Sequence, residues 1–143
     1  MVKDSDAETL RPLPYPDEIT EGFWAGVRAR RLCIQRCAAC RYWNHVPTLT
    51  CYACGGEALA FEPVSGRGRL HSWTELHDSP GPGFQNMLPV IVGIVELEEQ
   101  TRLFMTTNLV NLGAARLSLG MPVEVVFEDV TQDCILPQFQ PVA

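Results

Sequence analysis

From residue 61 onward the apolar and polar positions alternate in short runs, broken by glycine, proline and charged pairs. A period of two is the signature of half-buried β-strands. Gly66-Arg67-Gly68 opens a strand over residues 66–76, with Leu70, Ser72, Thr74 and Leu76 on one face and His71, Trp73 and Glu75 on the other. Ser79-Pro80-Gly81-Pro82-Gly83 is a loop by its turn residues. Residues 89–97 and 102–107 read as two further strands, and the polar Glu98-Glu99-Gln100 between them predicts a hairpin. Residues 111–119 read as a short helical turn ended by Gly120. A fourth strand spans 122–128 and a short fifth 134–139. Five strands with a helical piece between the third and fourth is the pattern of an OB-fold barrel, although another small Greek-key barrel shares it.

The first sixty residues follow other rules. Ile19, Phe23 and Val27 recur four apart with Trp24 beside them, which predicts a helix over 17–31. Thr20 is positioned to cap it, and Glu21 suits its first turn. Gly22 and Gly26 each cost such a helix about 1 kcal/mol relative to alanine. The helix therefore depends on packing its aromatic face, with Phe23 and Trp24 either covering the chain's own core or docking onto another chain. Ahead of it, residues 1–16 are acidic and then alternate prolines from Pro12 to Pro16, favouring an extended path. Such a segment gains order by lying against its own domain or a partner. The chain divides into an N-terminal extension and helix (1–31), a cysteine-rich segment (32–60) and the strand region (61–143), with no internal repeat.

The middle segment carries the strongest chemical signal. Cys37-Ala38-Ala39-Cys40 and Cys51-Tyr52-Ala53-Cys54 are two Cys-x-x-Cys knuckles separated by ten residues, and Gly55-Gly56 lets the second turn close. A tetrahedral ion needs four converging ligands, and each knuckle offers two thiolates on one tight turn. The spacing is that of a zinc ribbon. Four cysteines leave no position for water, so Cys37, Cys40, Cys51 and Cys54 point to a structural Zn²⁺, not a catalytic one. Four-thiolate iron of the rubredoxin type shares this geometry. Two disulfides are disfavoured in a reducing compartment, and a thioredoxin-like pair lacks its βαβ surroundings. Cys33 and Cys134 are left over and read as buried structural cysteines. His45 lies beside Trp43 in the ribbon loop, where four thiolates already complete a metal shell.

Composition narrows the function. A hydrophobic fraction of 46% and a charged fraction of 20% are those of a globular domain. The net charge is −6, of which −5 falls on residues 66–143, so the barrel region lacks the basic footprint that nucleic acid or anionic membrane requires. Arg28, Arg30, Arg31, Arg36 and Arg41 cluster instead near the helix and ribbon, as a solvated face or a local anion contact. No signal peptide stands at the N-terminus and no apolar run reaches the roughly 20 residues that span a bilayer. A cytoplasmic protein is expected. No nucleophile–base arrangement, phosphate-binding glycine loop or carboxylate pair carries a recognisable motif. Trp73, Phe84 and His77 surround the Pro-Gly loop and are candidates for a binding surface, because OB-folds bind through one face and its loops. A nucleic-acid-binding ribbon–barrel module is the alternative reading, with aromatics of that face stacking bases.

The chain also resembles a family. Thr20, Phe23-Trp24, Leu32, Gln35-Arg36 and the first knuckle carry the likeness, followed by Pro47, the second knuckle with Gly55, and Val64 to Gly68. It continues through Ser72-Trp73-Thr74, residues 89–97, Arg102, Leu119 to Val123, Leu136-Pro137 and Phe139. In this order and spacing the chain is similar to the zinc-ribbon/OB-fold family long labelled only as a domain of unknown function and associated with acyl-CoA enzymes. It departs at Thr48-Leu49-Thr50, where members often carry another proline or an arginine. The resemblance implies a mainly β fold: an N-terminal helix, a rubredoxin-like zinc ribbon and a C-terminal five-stranded OB-fold barrel. It implies an accessory subunit, not an enzyme by itself, that partners a thiolase-like catalytic subunit (a thiolase or a retro-aldolase). The accessory chain stabilises that subunit and helps enclose the CoA thioester. On that reading Phe23 and Trp24 are docking residues. Arg67, Arg69 and Arg102 are candidates for the CoA phosphates, since guanidinium binds phosphate in a bidentate way. Two-fold symmetry predicts a heterotetramer of two partners and two copies of this chain.

Overall fold

The computed structural model describes residues 11–143. Residues 1–10, including the acidic half of the lead-in, lie outside the described residues. The remaining prolines run along the chain's own barrel: Arg11 pairs with Glu128 at 3.2 Å and donates to the Met87 sulfur at 3.2 Å. Leu13, Pro14 and Pro16 line a groove with Trp24, Cys134 and Ile135.

Helix α1 spans Glu21–Arg28, shorter than the 17–31 that periodicity predicts. Its start is set one turn earlier by Asp17. The Asp17 carboxylate accepts from the N–H of Ile19 (3.0 Å) and Thr20 (2.9 Å), while the Thr20 hydroxyl turns back to accept from the Asp17 N–H (3.1 Å). Thr20 stands at the cap position but its side chain caps no helical N–H. These bonds, the Thr20 N–H foremost, hold the Asp17 carboxyl below its usual range. The helix ends where Arg31 N–H bonds Gly26 O (2.8 Å) and Arg30 N–H bonds Val27 O (2.9 Å), with Arg30 at φ 55°. That pair of bonds around a left-handed residue is a Schellman termination. The Arg30 guanidinium then reaches both carboxylate oxygens of Asp129, at 2.6 and 2.8 Å.

The two helix glycines are there for packing. A Cβ on Gly22 would fall 2.1 Å from the Phe61 ring, and one on Gly26 would fall 2.8 Å from the Cys33 sulfur. Helix α1 therefore seats directly on a three-stranded sheet made of β1 (Cys33–Cys37), β2 (Trp43–Asn44) and β3 (Leu59–Pro63), in the order β2-β1-β3, all antiparallel.

The second sheet holds β4 (Arg67–Leu76), β5 (Val90–Leu97), β6 (Phe104–Asn108), β7 (Pro122–Thr131) and β8 (Cys134–Pro141), in the order β6-β5-β4-β7-β8. A parallel bridge between Leu109 and Phe139 joins the two edge strands and closes the barrel. The β5–β6 hairpin forms as its sequence predicts. Five strands in this order, closed by a parallel contact, are an OB-fold. No helix among the described residues is long and apolar enough to cross a membrane.

Two sequence expectations change. Residues 111–119 form turns and not a helical turn, because Asn111 (φ 54°) and Gly113 (φ 55°) are left-handed, a conformation a right-handed helix cannot contain. In β4 a bulge between Leu70 and Ser72 inserts one residue against β5. Strict alternation puts Leu70 and Trp73 on opposite faces; the bulge brings both inward, with Trp73 opposite the buried Gly93.

The core is continuous across all three parts. Phe23, Val27, Leu32, Ile34 and Trp43 join Leu70, Val95, Leu97, Met105, Val123 and Phe139 in one buried cluster. A two-point amide clamp ties the sheets together: Trp43 N–H donates to Gln100 Oε1 (2.9 Å), and Gln100 Nε2 donates to Trp43 O (3.0 Å).

Replacing Gly22 by alanine raises helix propensity yet drives a methyl group into the Phe61 ring. The expected result is a net loss of about 1–3 kcal/mol, read as a lower thermal midpoint. A rise in the midpoint would show that the helix does not rest on β3 as described.

Candidate functional site

The two knuckles are the turns that follow β1 and precede β3. Their four sulfurs lie within 4.8 Å of one another. Cys37 Sγ and Cys54 Sγ are 3.6 Å apart, as are Cys40 Sγ and Cys51 Sγ. Four thiolates at about 2.3 Å around a tetrahedral zinc lie about 3.8 Å from one another, so the arrangement fits the ion. In the second turn two amides point at sulfur: Ala53 N–H at Cys51 (3.4 Å) and Gly56 N–H at Cys54 (3.4 Å).

The surroundings favour thiolate at one side of the cluster. Cys51 is brought down to about 6: burial opposes the shift, and the N–H groups of Cys54 and Ala53 with the Asn44 amide overcome it. Cys40 is pushed up to about 12; the Tyr42 N–H acts the other way, while burial and the bonds shared with Cys51, Cys54 and Cys37 hold its proton. Four such groups this close ionise together only around a cation.

Asn44 organises this shell. It is fully buried; its Nδ2 donates to Cys51 Sγ (3.6 Å) and to Tyr42 O (3.2 Å), and its Oδ1 accepts from Tyr52 N–H (2.9 Å). Gln35 performs the matching task on the loop between the knuckles, exchanging two bonds with the Thr48 backbone at 2.8 and 2.9 Å. Neither residue belongs to the Cys-x-x-Cys spacing; each is an uncharged polar side chain on a short strand close to the knuckles.

Beside the ribbon, a cavity of about 430 Å³ opens where three parts meet. Phe23 and Trp24 come from α1, His45 to Pro47 from the ribbon loop, Met105 to Asn108 from β6, and Leu136 to Gln138 from β8. Burial pushes the His45 imidazole down to about 4, and its Nδ1 has no hydrogen-bond partner among the described residues. The ring lies against Phe23, with centroids 5.6 Å apart. His45, Thr107 and Gln138 had no sequence pattern to reveal them, because their proximity comes from strand closure.

The other candidate residues separate. Arg67 and Arg69 line one cleft together with Glu96, Glu98 and Gln100. Arg69 also donates to Gly120 O (3.0 Å). Arg102 lies in the β5–β6 turn, its N–H bound to Glu96 at 2.8 Å. Trp73 lines a different groove, with Ile91, Leu112 and Arg116. Phe84 precedes a 3-10 turn at Gln85–Met87 and lines none of these clefts. Phe23, 6% exposed, is part of the chain's own core and not a free docking side chain, whereas Trp24 stays half-buried at the cavity edge.

Known proteins share this architecture. The models of the ChsH2 rubredoxin-like zinc ribbon domain and the ChsH2 C-terminal OB-fold domain match residues 24–60 and 61–128. The chain is 35% identical over 134 residues to a probable enoyl-CoA hydratase alpha subunit of Thermomonospora curvata. It is 34% identical over 126 residues to the 3-oxo-4,17-pregnadiene-20-carboxyl-CoA hydratase alpha subunit of Mycobacterium tuberculosis. Those alignments cover 94% and 88% of this chain but span only 41% and 38% of the two relatives. A DUF35 domain-containing scaffold protein of Methanothermobacter thermautotrophicus is 32% identical over 117 residues, 65% of this chain and 84% of that protein. Among solved structures, a chain of the Ltp2-ChsH2(DUF35) aldolase superposes with a TM-score of 0.80 at 32% identity, covering 91% of this chain and 99% of that one. A DUF35-family protein of unknown function from Sulfolobus solfataricus, 11% identical with a TM-score of 0.61 over 96% of this chain and 93% of its own, shares the fold. With the ribbon model matched on the segment that carries the four thiolates, the cofactor is a structural zinc ion.

Asn44→Ala removes the side-chain donor to Cys51. Zinc affinity should fall by about ten- to a hundred-fold in competition with a chromophoric chelator. Unchanged affinity would leave Asn44 a purely structural side chain.

His45 supplies a second expectation. Its folded value of about 4 lies below the unfolded value near 6.5, so the unfolded chain binds the proton first and stability falls as pH drops between the two. Acidifying from neutral to pH ~5 should cost about 2 kcal/mol through this group alone. His45→Phe should lose that share of the acid slope in zinc-saturated denaturation curves, while the share due to thiolate protonation remains. Equal slopes in the two proteins would refute it.

Proposed function

The chain belongs to the family of ChsH2 zinc-ribbon and OB-fold domains, also known as the DUF35 family, and from that premise we propose that it is a non-catalytic accessory subunit of a thiolase-type complex acting on an acyl-CoA. The observation that carries this reading is the match along 99% of a chain from the Ltp2-ChsH2(DUF35) aldolase. The name of the archaeal relative, a scaffold protein, points the same way. On this reading the partner supplies the nucleophile and the acid–base groups. This chain stabilises it and forms part of the wall around the CoA thioester.

Several features suit that role. The zinc and the amide clamp between Trp43 and Gln100 hold ribbon and barrel as one surface. Arg67 and Arg69 stand together as the arginines to meet an anionic CoA head group, with Glu96 and Glu98 partly offsetting their charge. Exposed Val46, Leu49 and Tyr52 give the ribbon tip an apolar surface suited to a subunit contact. A two-plus-two heterotetramer follows from the prevalence of two-fold symmetry.

The hydratase alpha subunits among the relatives favour a second reading, a subunit of a hydratase complex. One experiment separates them: purification of the tagged chain from its native host, with mass spectrometry of what co-elutes. A thiolase-type protein in near-equal amount is the expected result. A hydratase subunit in that place selects the second reading. A chain that elutes without either overturns both.

A further inference from the structure

A four-thiolate shell leaves no coordination position open, yet two of its sulfurs border free space. Cys37 and Cys51 are buried, whereas Cys40 and Cys54 are exposed. The sulfurs form two close pairs, each joining a buried cysteine of one knuckle to an exposed cysteine of the other. These are Cys37 with Cys54 and Cys40 with Cys51, both at 3.6 Å.

The first pair faces Gly56. A Cβ built there would lie 3.2 Å from Cys54 Sγ and 3.7 Å from Cys37 Sγ, and would meet no other atom within 4 Å outside its chain neighbours. Unlike Gly55 (φ 74°), Gly56 has no left-handed backbone that calls for glycine. What its missing side chain provides is a small opening onto both sulfurs of one pair. Thiolate sulfur is the nucleophile toward peroxides, and access decides which sulfur reacts.

We propose that the Cys37–Cys54 pair is a modification site, oxidised to a disulfide by hydrogen peroxide entering beside Gly56, with loss of the zinc. The exposed Cys54 thiolate attacks one peroxide oxygen. The O–O bond breaks, leaving a sulfenic acid on Cys54 and a hydroxide ion. Cys37 thiolate then attacks the Cys54 sulfur; the S–S bond forms, the S–O bond breaks and a second hydroxide leaves. Two thiolates together lose two electrons, the peroxide gains them, and two solvent protons convert the hydroxides to water. Only Cys40 and Cys51 then remain as thiolate ligands, half of the four that a structural zinc needs. A dithiol reductant reverses the step. Cys33, whose sulfur lies under α1 beside Gly26, and Cys134, at the start of β8, take no part. The step needs neither a partner subunit nor an acyl-CoA, so it stands apart from the proposed function.

The test mixes the zinc-loaded full chain with hydrogen peroxide and follows zinc release with a chromophoric chelator. Early samples are alkylated, digested without reduction and mapped by mass spectrometry. Zinc should be lost, the early disulfide should be Cys37–Cys54, and dithiothreitol with added zinc should restore the loaded chain. Gly56→Ala, compared at equal zinc loading, should slow release about three- to ten-fold, because its methyl group fills the opening. A double variant, Cys33→Ser with Cys134→Ser, should match the parent chain in rate and in disulfide. Zinc retained under peroxide, any other early disulfide, or sulfinic or sulfonic acid in place of a disulfide overturns the proposal. So does a Gly56→Ala rate equal to that of the parent chain. Should Gly56→Ala fail to hold zinc, the disulfide map of the parent chain decides by itself.

Discussion

Four cysteine sulfurs drawn within 4.8 Å of one another repel as thiolates unless a dication sits between them. That constraint organises the rest of the molecule. Closing the knuckles brings β1 back against β2 and β3, and so fixes Trp43 and Asn44, which sit only a few residues from the ligands. Asn44 turns inward to the Cys51 sulfur, while the Trp43 backbone turns outward to the Gln100 amide of the barrel hairpin. Metal chemistry is thus converted into an orientation between ribbon and barrel by two neighbouring residues on one short strand.

The helix completes the arrangement through contact distance. Its two glycines forgo helix propensity so that its backbone can approach Phe61 and Cys33 closely. That approach lets Phe23 and Val27 enter the same core as Leu70, Val95 and Phe139. The junction cavity is a consequence of this geometry: three elements converge on a common core, and the space left at their meeting is lined by whatever side chains the barrel closure presents. The polar chain from Gln138 to Glu128 to Arg11 carries the wall of that cavity to the proline-rich lead-in. The lead-in is therefore part of the folded surface at residues 11–16.

An accessory subunit needs a stable, shaped surface more than a reactive group. The zinc is closed to substrate, and the arginines of the barrel share their cleft with carboxylates. The apolar ribbon tip lies beside the cavity mouth, since Val46 belongs to both. On the proposed reading, a partner seated on the ribbon tip would lie next to that cavity.

Local signals in the chain were enough for the metal ligands, the helix, the hairpin and the five-stranded barrel. A Cys-x-x-Cys turn, a four-residue apolar repeat and a two-residue alternation each arise within one element, so each is visible in one dimension. Three matters were settled only in three dimensions. A single inserted residue at the β4 bulge reversed the face of Trp73, because strand alternation has no memory across a bulge. Left-handed Asn111 and Gly113 replaced an expected helical turn with an open connection. His45, Thr107 and Gln138 came together from a ribbon loop and two barrel edges that only strand closure brings together. Short-range pattern reports what each segment is; which segments become neighbours depends on the packing of a shared core, and that is where the cavity arises.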